Sequence, residues 1–432
     1  MIFFMKLSIL IKKTVDLLDR KLTDLILIAF FLIRIAPFTL PYLSLGIYSH
    51  YLYRIINFII VGLVILSQRI KNKKIFDSFI LLSVVYFLFQ AFSVFGTTNL
   101  RIFFINFEKI FSSLFFLLAL YPLILEKGNK LVDQLINVII ISTALNVLVE
   151  LSMIIVPGIS LKILTLFVHP GVIDIIKTNL QRGRVYFEFY DEISIPILFY
   201  LYFVKKNNRY LRGCSLLLLF GIVFISFFSN IRTRFLVTVF VLLGSFFIFR
   251  KFFSKNLLKI LGVLVGVIFI IFLGYKVVNS NFGFSVLDRF FLEDKKEDVT
   301  TISFRINMIG YAIDIGNSHP FFGVGLGNYY EYLPTKIRNE SFLEEANVSA
   351  LLYPHNIFAQ SYAEAGIPGL LSFSLLIGYF IFKDLSLFMN GSLFKITISL
   401  SFWGLFIFAL FNPPTPLTFF ANFFVLRSIL EI

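Results

Sequence analysis

The amino-acid sequence predicts an all-α integral membrane protein, with about twelve transmembrane helices and a long, partly helical outward loop before the last three spans. Three observations predict it. Hydrophobic residues make up 58% of the 432 positions and charged residues only 15%, with a mean hydropathy of +0.88; a soluble domain averages about a quarter charged residues. Apolar runs of roughly 17 to 25 residues recur along the chain, each long enough to cross a bilayer core. Basic residues gather in alternate connections, where topogenic charge belongs.

Taken in order, the spans centre near residues 31, 58, 85, 114, 143, 197, 219, 241, 267, 373, 403 and 422. Residues 1–21 form an amphipathic basic segment without a small-residue cleavage site, so the first helix is expected to direct insertion. The connections at 6–21, 69–74, 126–130, 205–212, 250–259 and 383–395 are basic and are predicted to face the cytoplasm, with both termini. The two larger connections, about 157–190 and about 279–355, then face outward. Domain boundaries follow: a bundle of about nine spans over 1–278, an outward loop over 279–355 and about three spans over 356–432. An insert of this length is too long for a passive connection. Its apolar period from Ser303 to Ile315 predicts a helix that lies along the interface or packs over the bundle.

Composition also excludes functions. A net charge of +14 suggests nucleic acid in a soluble protein, but here the excess sits in loops, and no nucleic-acid partner is expected. The single cysteine, Cys214, excludes an intrachain disulfide and a cysteine metal cluster. None of the four histidines stands at metal-ligand spacing from another, so no metal and no cofactor are expected.

A few arginines lie on the side that the charge rule leaves poor in them: Arg232 and Arg234 in Ser229-Asn-Ile-Arg-Thr-Arg, and Arg182-Gly-Arg184 beside another outward helix start. Two readings are open. These guanidinium groups snorkel to headgroups or pair with acidic residues, or they capture an anion, since the guanidinium fork binds diphosphate oxygens at two points and stays charged when partly desolvated. Arg305 opens the helical segment of the long loop, with orientation of that segment as its plainer role. Gly323-Val-Gly-Leu-Gly327 lacks the preceding strand and the following Lys-Ser or Lys-Thr of a nucleotide loop. Its glycines are expected to allow positive-φ turns that bring the loop backbone near the membrane surface, as hinge and lid of a site. His355 stands where this loop re-enters the membrane, between Pro354 and Asn356, with Glu364 further along the same helix. Imidazole there can take a proton from a hydroxyl at neutral pH, or simply start a helix.

The order His319-Pro-Phe-Phe-Gly-Val-Gly-Leu-Gly-Asn328, then His355-Asn356, then Glu364-Ala-Gly-Ile-Pro-Gly369 resembles the signature of the O-antigen ligase and O-antigen polymerase superfamily. The resemblance implies a GT-C-like membrane glycosyltransferase of the bacterial inner membrane, working at the periplasmic face on an undecaprenyl-diphosphate-linked oligosaccharide. It implies that Arg232 or Arg234 is the arginine of the family's Ser-x-Ser-Arg turn, and Arg182 or Arg184 the arginine before its Gly-x-Phe-x-x-Pro-Asn helix start. His355 matches the histidine that engages the acceptor. The chain departs from the family pattern at both turns, reading Glu188-Phe-Tyr-Asp191-Glu192 where Pro-Asn is usual. Glu188 or Asp191 is therefore an alternative base or acceptor-positioning group. Tyr186, Arg305 and Asn356 complete the candidate substrate-binding set. Tyr190, Tyr329 and Tyr330 lie near the same surface, to stack on sugars or to join an interfacial belt.

The expected reaction is attack of an acceptor hydroxyl, assisted by His355, on the anomeric carbon, while arginines neutralise the diphosphate leaving group. Inversion and metal independence are expected. The load of Phe, Ile, Asn and Lys favours a polymerase of surface-polysaccharide repeat units, partnered by a chain-length regulator. The alternatives are a ligase that transfers glycan to lipid A core and, from another class, a lipid-linked glycan flippase. Membrane lipid is a partner in every case.

Overall fold

A computed structural model describes residues 21–35, 77–164, 190–205, 209–228, 232–253, 302–334, 354–412 and 416–431, together with residues 177 and 180. The spans centred near residues 58 and 267 lie outside the described residues, as do Arg182, Arg184, Tyr186 and Glu188.

The described residues form twelve α-helices: α1 (residues 21–34), α2 (Ser78–Phe92), α3 (Leu100–Lys127), α4 (Asn129–Ile155), α5 (Pro157–Leu164), α6 (Ser194–Phe203), α7 (Arg209–Phe228), α8 (Arg232–Phe253), α9 (Ile302–Ser318), α10 (Ile357–Asn390), α11 (Leu393–Phe411) and α12 (Pro416–Leu430). Seven of them are long and apolar enough to cross a membrane: α2 with the 3₁₀ turn that extends it, α3, α4, α7, α8, α10 and α11. The remaining ten predicted span centres each fall within a described helix. Large apolar side chains face outward on these helices, among them Leu217, Leu243, Phe247 and Phe382. In water such a surface would associate, whereas in lipid it is a solvated face.

Local chemistry sets the helix starts. Asp77 accepts from the Ile80 N–H at 3.0 Å to begin α2, Asn99 accepts from Ile102 at 3.2 Å to begin α3, and Ser392 accepts from Lys395 at 3.3 Å to begin α11. The α3–α4 turn is made by Gly128 at φ +53°, a conformation that glycine adopts at little cost.

Phenylalanine fills the core. α12 packs on α3 and α11 with Phe419, Phe420, Phe423 and Phe424 all buried, and their rings meet Phe87, Phe380 and Phe402 mostly tilted or edge-on. α8 and α11 approach closely because Gly244 faces Leu400 and Gly404 faces Val241. A second, smaller cluster holds α9 on the first turns of α10 through Met308, Ala312, Ile315, Val324, Ala359 and Ala363. Within the apolar period from Ser303 to Ile315, Met308, Ala312 and Ile315 form the buried face of a helix packed over the bundle.

The two ends of the bundle carry different polar systems. At one end Arg427 pairs with Asp384 at 2.6 Å and with Glu431 at 3.2 Å, while Asp384 accepts from Ser399 and Trp403. This joins α10, α11 and α12. The opposite end gathers the starts of α6, α8 and α10 and the end of α11.

Candidate active site

The last turn of α11 is the meeting point. Leu410 O accepts from Asn356 Nδ2 at 3.2 Å, Phe411 O accepts from Arg305 Nη1 at 3.1 Å, and the same Nη1 donates to Thr233 Oγ1 at 3.0 Å. Thr233 Oγ1 in turn donates to Asn412 Oδ1 at 3.4 Å. Residues separated by up to 179 positions are thereby held in one hydrogen-bonded group. The helix geometry explains the attraction, because the last carbonyls of α11 have no intrahelical donors and carry partial negative charge.

Beneath this group lies a buried charge network. Arg234 donates to both oxygens of Glu150, at 2.6 and 2.9 Å, and its Nε donates to Glu192. Arg34 donates to Ser142 at 2.6 Å, Asn422 at 2.5 Å, Thr143 at 3.0 Å and Asp191 at 3.1 Å. Asn146 Nδ2 adds a bond to Asp191 Oδ1 at 3.1 Å. Arg34, Glu150, Asp191, Glu192 and Arg234 are all buried. Two guanidinium groups thus face three carboxylates. Such pairs persist in a low-dielectric interior only with this degree of hydrogen bonding, and removing one member leaves a charge stranded.

The glycine-rich loop is knitted to α10. Val324 N and Gly325 N donate to Ala363 O and Glu364 O, both at 2.9 Å, Ile367 N donates to Pro320 O at 2.7 Å, and the Glu364 carboxylate accepts from Gly327 N at 3.1 Å. These bonds are possible because α10 breaks at Gly366, at φ +66°, which exposes backbone groups that an unbroken helix would use internally. Gly323 and Gly325 take φ +63° and +86°, and a Cβ on Gly323 would lie 2.3 Å from the Glu364 backbone. The positive-φ turns are present, but they bring the loop onto α10 and the α2–α3 connection. In this structure the loop expected as hinge and lid is hydrogen-bonded along α10 as a brace. Tyr329 is likewise no sugar platform, since it is buried and its hydroxyl donates to Met308 O at 2.7 Å. Burial raises its phenol above the ordinary range.

The sequence-derived residues fall into distinct places. Arg305 reaches the α11 terminus, and Asn356 caps α10 by accepting from Phe358 and Ala359, both at 3.0 Å. His355 is 7% exposed, with φ +56°. It and Tyr190, at φ +57°, are the non-glycine residues with positive φ among those described, and each immediately precedes a helical start at this end. Strained backbone held in place by its surroundings is a feature of functional sites. Asp191 and Arg234 are bound within the charge network. Arg232 opens α8, and its side chain lies outside the described residues.

Sequence reasoning missed Arg34, Glu150 and the pairing role of Glu192. A signal was available, because a charged residue inside an apolar span is costly and marks either a pair or a function. A cleft of about 310 Å³ between α4, α6 and α11, lined among others by Asp133, Tyr200, Lys205 and Thr397, opens at the opposite end and is remote from this group. Among the described residues no cluster of His, Cys, Asp or Glu is arranged to hold a metal.

Residues 214–374 match a protein family described as O-antigen ligase. This matched domain is similar to the O-antigen ligase/polymerase superfamily. That domain runs from α7 into the middle of α10 and includes Arg232, Arg234, Arg305, the glycine loop and His355. Arg34, Glu150, Asp191 and Asn412 lie outside it. No curated protein and no solved structure matches the chain.

Proposed function

We propose that this O-antigen ligase/polymerase superfamily protein is a membrane glycosyltransferase that joins oligosaccharide repeat units carried on undecaprenyl diphosphate, at the periplasmic face of the inner membrane. The observation that carries the reading is the convergence of the α8, α9 and α10 starts on the end of α11, which gathers Thr233, Arg305 and the His355-Asn356 pair.

In this reading His355 assists the acceptor hydroxyl as it attacks the anomeric carbon. The bond from that carbon to the diphosphate oxygen breaks, the configuration inverts, and the acceptor proton passes to the imidazole. Charge grows on the diphosphate and is met by arginine in a dry environment, where fixed cations act strongly. Because Glu150 and Glu192 already engage Arg234, the cations assigned to the diphosphate are Arg305 and Arg232, with Arg182 and Arg184 from the preceding loop. Asp191, anchored by Arg34 and Asn146, shapes the acceptor side, with Glu188 and Tyr186. Arg234 acts on these groups through its carboxylates.

Reconstitution tests the reading. The full chain in proteoliposomes receives undecaprenyl-diphosphate oligosaccharide, with and without lipid A core. A ladder of lipid-linked products without core supports the polymerase. Transfer only when core is added assigns the ligase instead. Were His355→Ala and Arg305→Ala to leave chain-length ladders intact while stopping delivery of repeat units across the membrane, the flippase reading would replace both.

A further inference from the structure

Asn412 ends α11 with a polar atom that the ion network does not use. The residue is 5% exposed, its backbone N–H closes the helix on Phe408 O at 2.9 Å, and its Oδ1 accepts from Thr233. Its Nδ2 has no partner among the described residues. Folded proteins leave few buried donors unmatched, and each one calls for a cause.

The surroundings select the missing partner. Thr233 stands in the first turn of α8, a helix of 22 residues whose N-terminus carries partial positive charge. Arg305 Nη1 lies 3.0 Å from the Thr233 hydroxyl. The opposing negative ends are already engaged, since Asn356 and Arg305 bond to Leu410 O and Phe411 O, and Arg234 binds Glu150 and Glu192. Beside the Asn412 amide thus stand Thr233 in the first turn of α8 and, through Thr233, the Arg305 guanidinium. A group made only of acceptors fits this arrangement, and a phosphoryl oxygen is such a group. A sugar hydroxyl would bring a donor of its own.

We propose that Asn412 is a substrate-binding residue, with Nδ2 donating to a phosphoryl oxygen of a lipid-linked diphosphate seated between the start of α8 and Arg305. The identity of the lipid rests on the glycosyl-transfer reading above; the anion site rests on the geometry. A neutral amide at this point directs the phosphate by hydrogen bonding without adding to its charge balance, and so fixes orientation while arginine supplies attraction.

Farnesyl diphosphate is the probe, with farnesyl phosphate and farnesol as comparators, titrated against the purified full chain in nanodiscs. Wild-type protein is expected to prefer the diphosphate over farnesol. Asn412→Asp and Asn412→Ala are expected to lower diphosphate affinity roughly tenfold or more, with farnesol binding and the thermal midpoint unchanged. Asn412→Gln, which keeps the donor, should recover part of the loss. If Asn412→Asp does not fold, Asn412→Ala and Asn412→Ser carry the comparison. Variants that bind the diphosphate like wild type overturn the proposal, as does a wild type that shows no preference for the diphosphate. Loss in all variants together with a lowered thermal midpoint assigns a structural role and also overturns it. In the transfer assay the two readings separate. Absence of transfer by a wild type that binds the diphosphate through Asn412 removes the glycosyltransferase and leaves the anion site. Normal transfer with an unchanged donor KM in Asn412→Ala removes the anion role and leaves the enzyme.

Discussion

Arg232 and Arg234 are two positions apart on one helix start, and the partners of Arg234 set its expected role. Arg234 is 3% exposed and bound by Glu150 and Glu192. Replacing it by Gln strands two buried carboxylates, and a loss of about 3–5 kcal/mol in stability is expected, read as a large fall in the thermal midpoint in detergent. The double variant Arg234→Met, Glu150→Gln should recover part of that loss, because one of the stranded charges is removed as well. Arg232→Gln is expected to leave the midpoint in place and lower transfer from the lipid diphosphate at least tenfold, as loss of a charge-assisted contact would. Equal midpoints for the Arg234 and Arg232 variants would sink this division of labour. The two arginines look alike in sequence. What distinguishes Arg234 is Glu150, 84 residues away, and that partner becomes visible only when α4 packs near α8.

At the scale of elements, the glycine loop and broken α10 form one unit. Gly323→Ala places a Cβ 2.3 Å from the Glu364 backbone and also imposes a left-handed conformation on alanine. The conformation alone costs about 1–2 kcal/mol, so a lowered midpoint and faster proteolysis of the loop are expected, with wild-type behaviour counting against the brace. A packing test lies at the α8–α11 crossing, where Gly404→Leu must push Val241 aside. Overpacking of this kind costs about 1–3 kcal/mol, and Gly404→Ala should be milder in the same thermal scan. The spacing of the loop glycines was legible in sequence, and so was the helix over Ser303 to Ile315. Their destination was not, because a glycine reports a permitted turn or a close approach but not the surface approached. The brace reading depends on the Gly366 break, which frees α10 backbone groups for the loop.

For the whole molecule, the charge systems lie at the two ends of an apolar bundle and differ in kind. Arg427 bound to Asp384, which also accepts from Ser399 and Trp403, ties three consecutive helices at one end. At the other, helix starts distant in sequence converge on α11. In the proposed mechanism fixed arginines stabilise the leaving diphosphate, so transfer by reconstituted protein is expected to persist in excess EDTA; abolition of transfer, restored by adding back a divalent ion, would contradict that mechanism.

Sequence by itself determined the membrane class, the helix-rich architecture and the order of motifs that marks the superfamily, because lipid demands long apolar helices and permits few polar residues. Those few residues could therefore be found by inspection. It did not determine their partners. Arg34 meets Asp191 across 157 positions and Arg305 meets the α11 terminus across 106, distances along the chain over which no periodicity speaks. Only tertiary packing decided that Arg234 is held within the network, that the glycines brace α10, and that Asn412 presents an unmatched donor at the site.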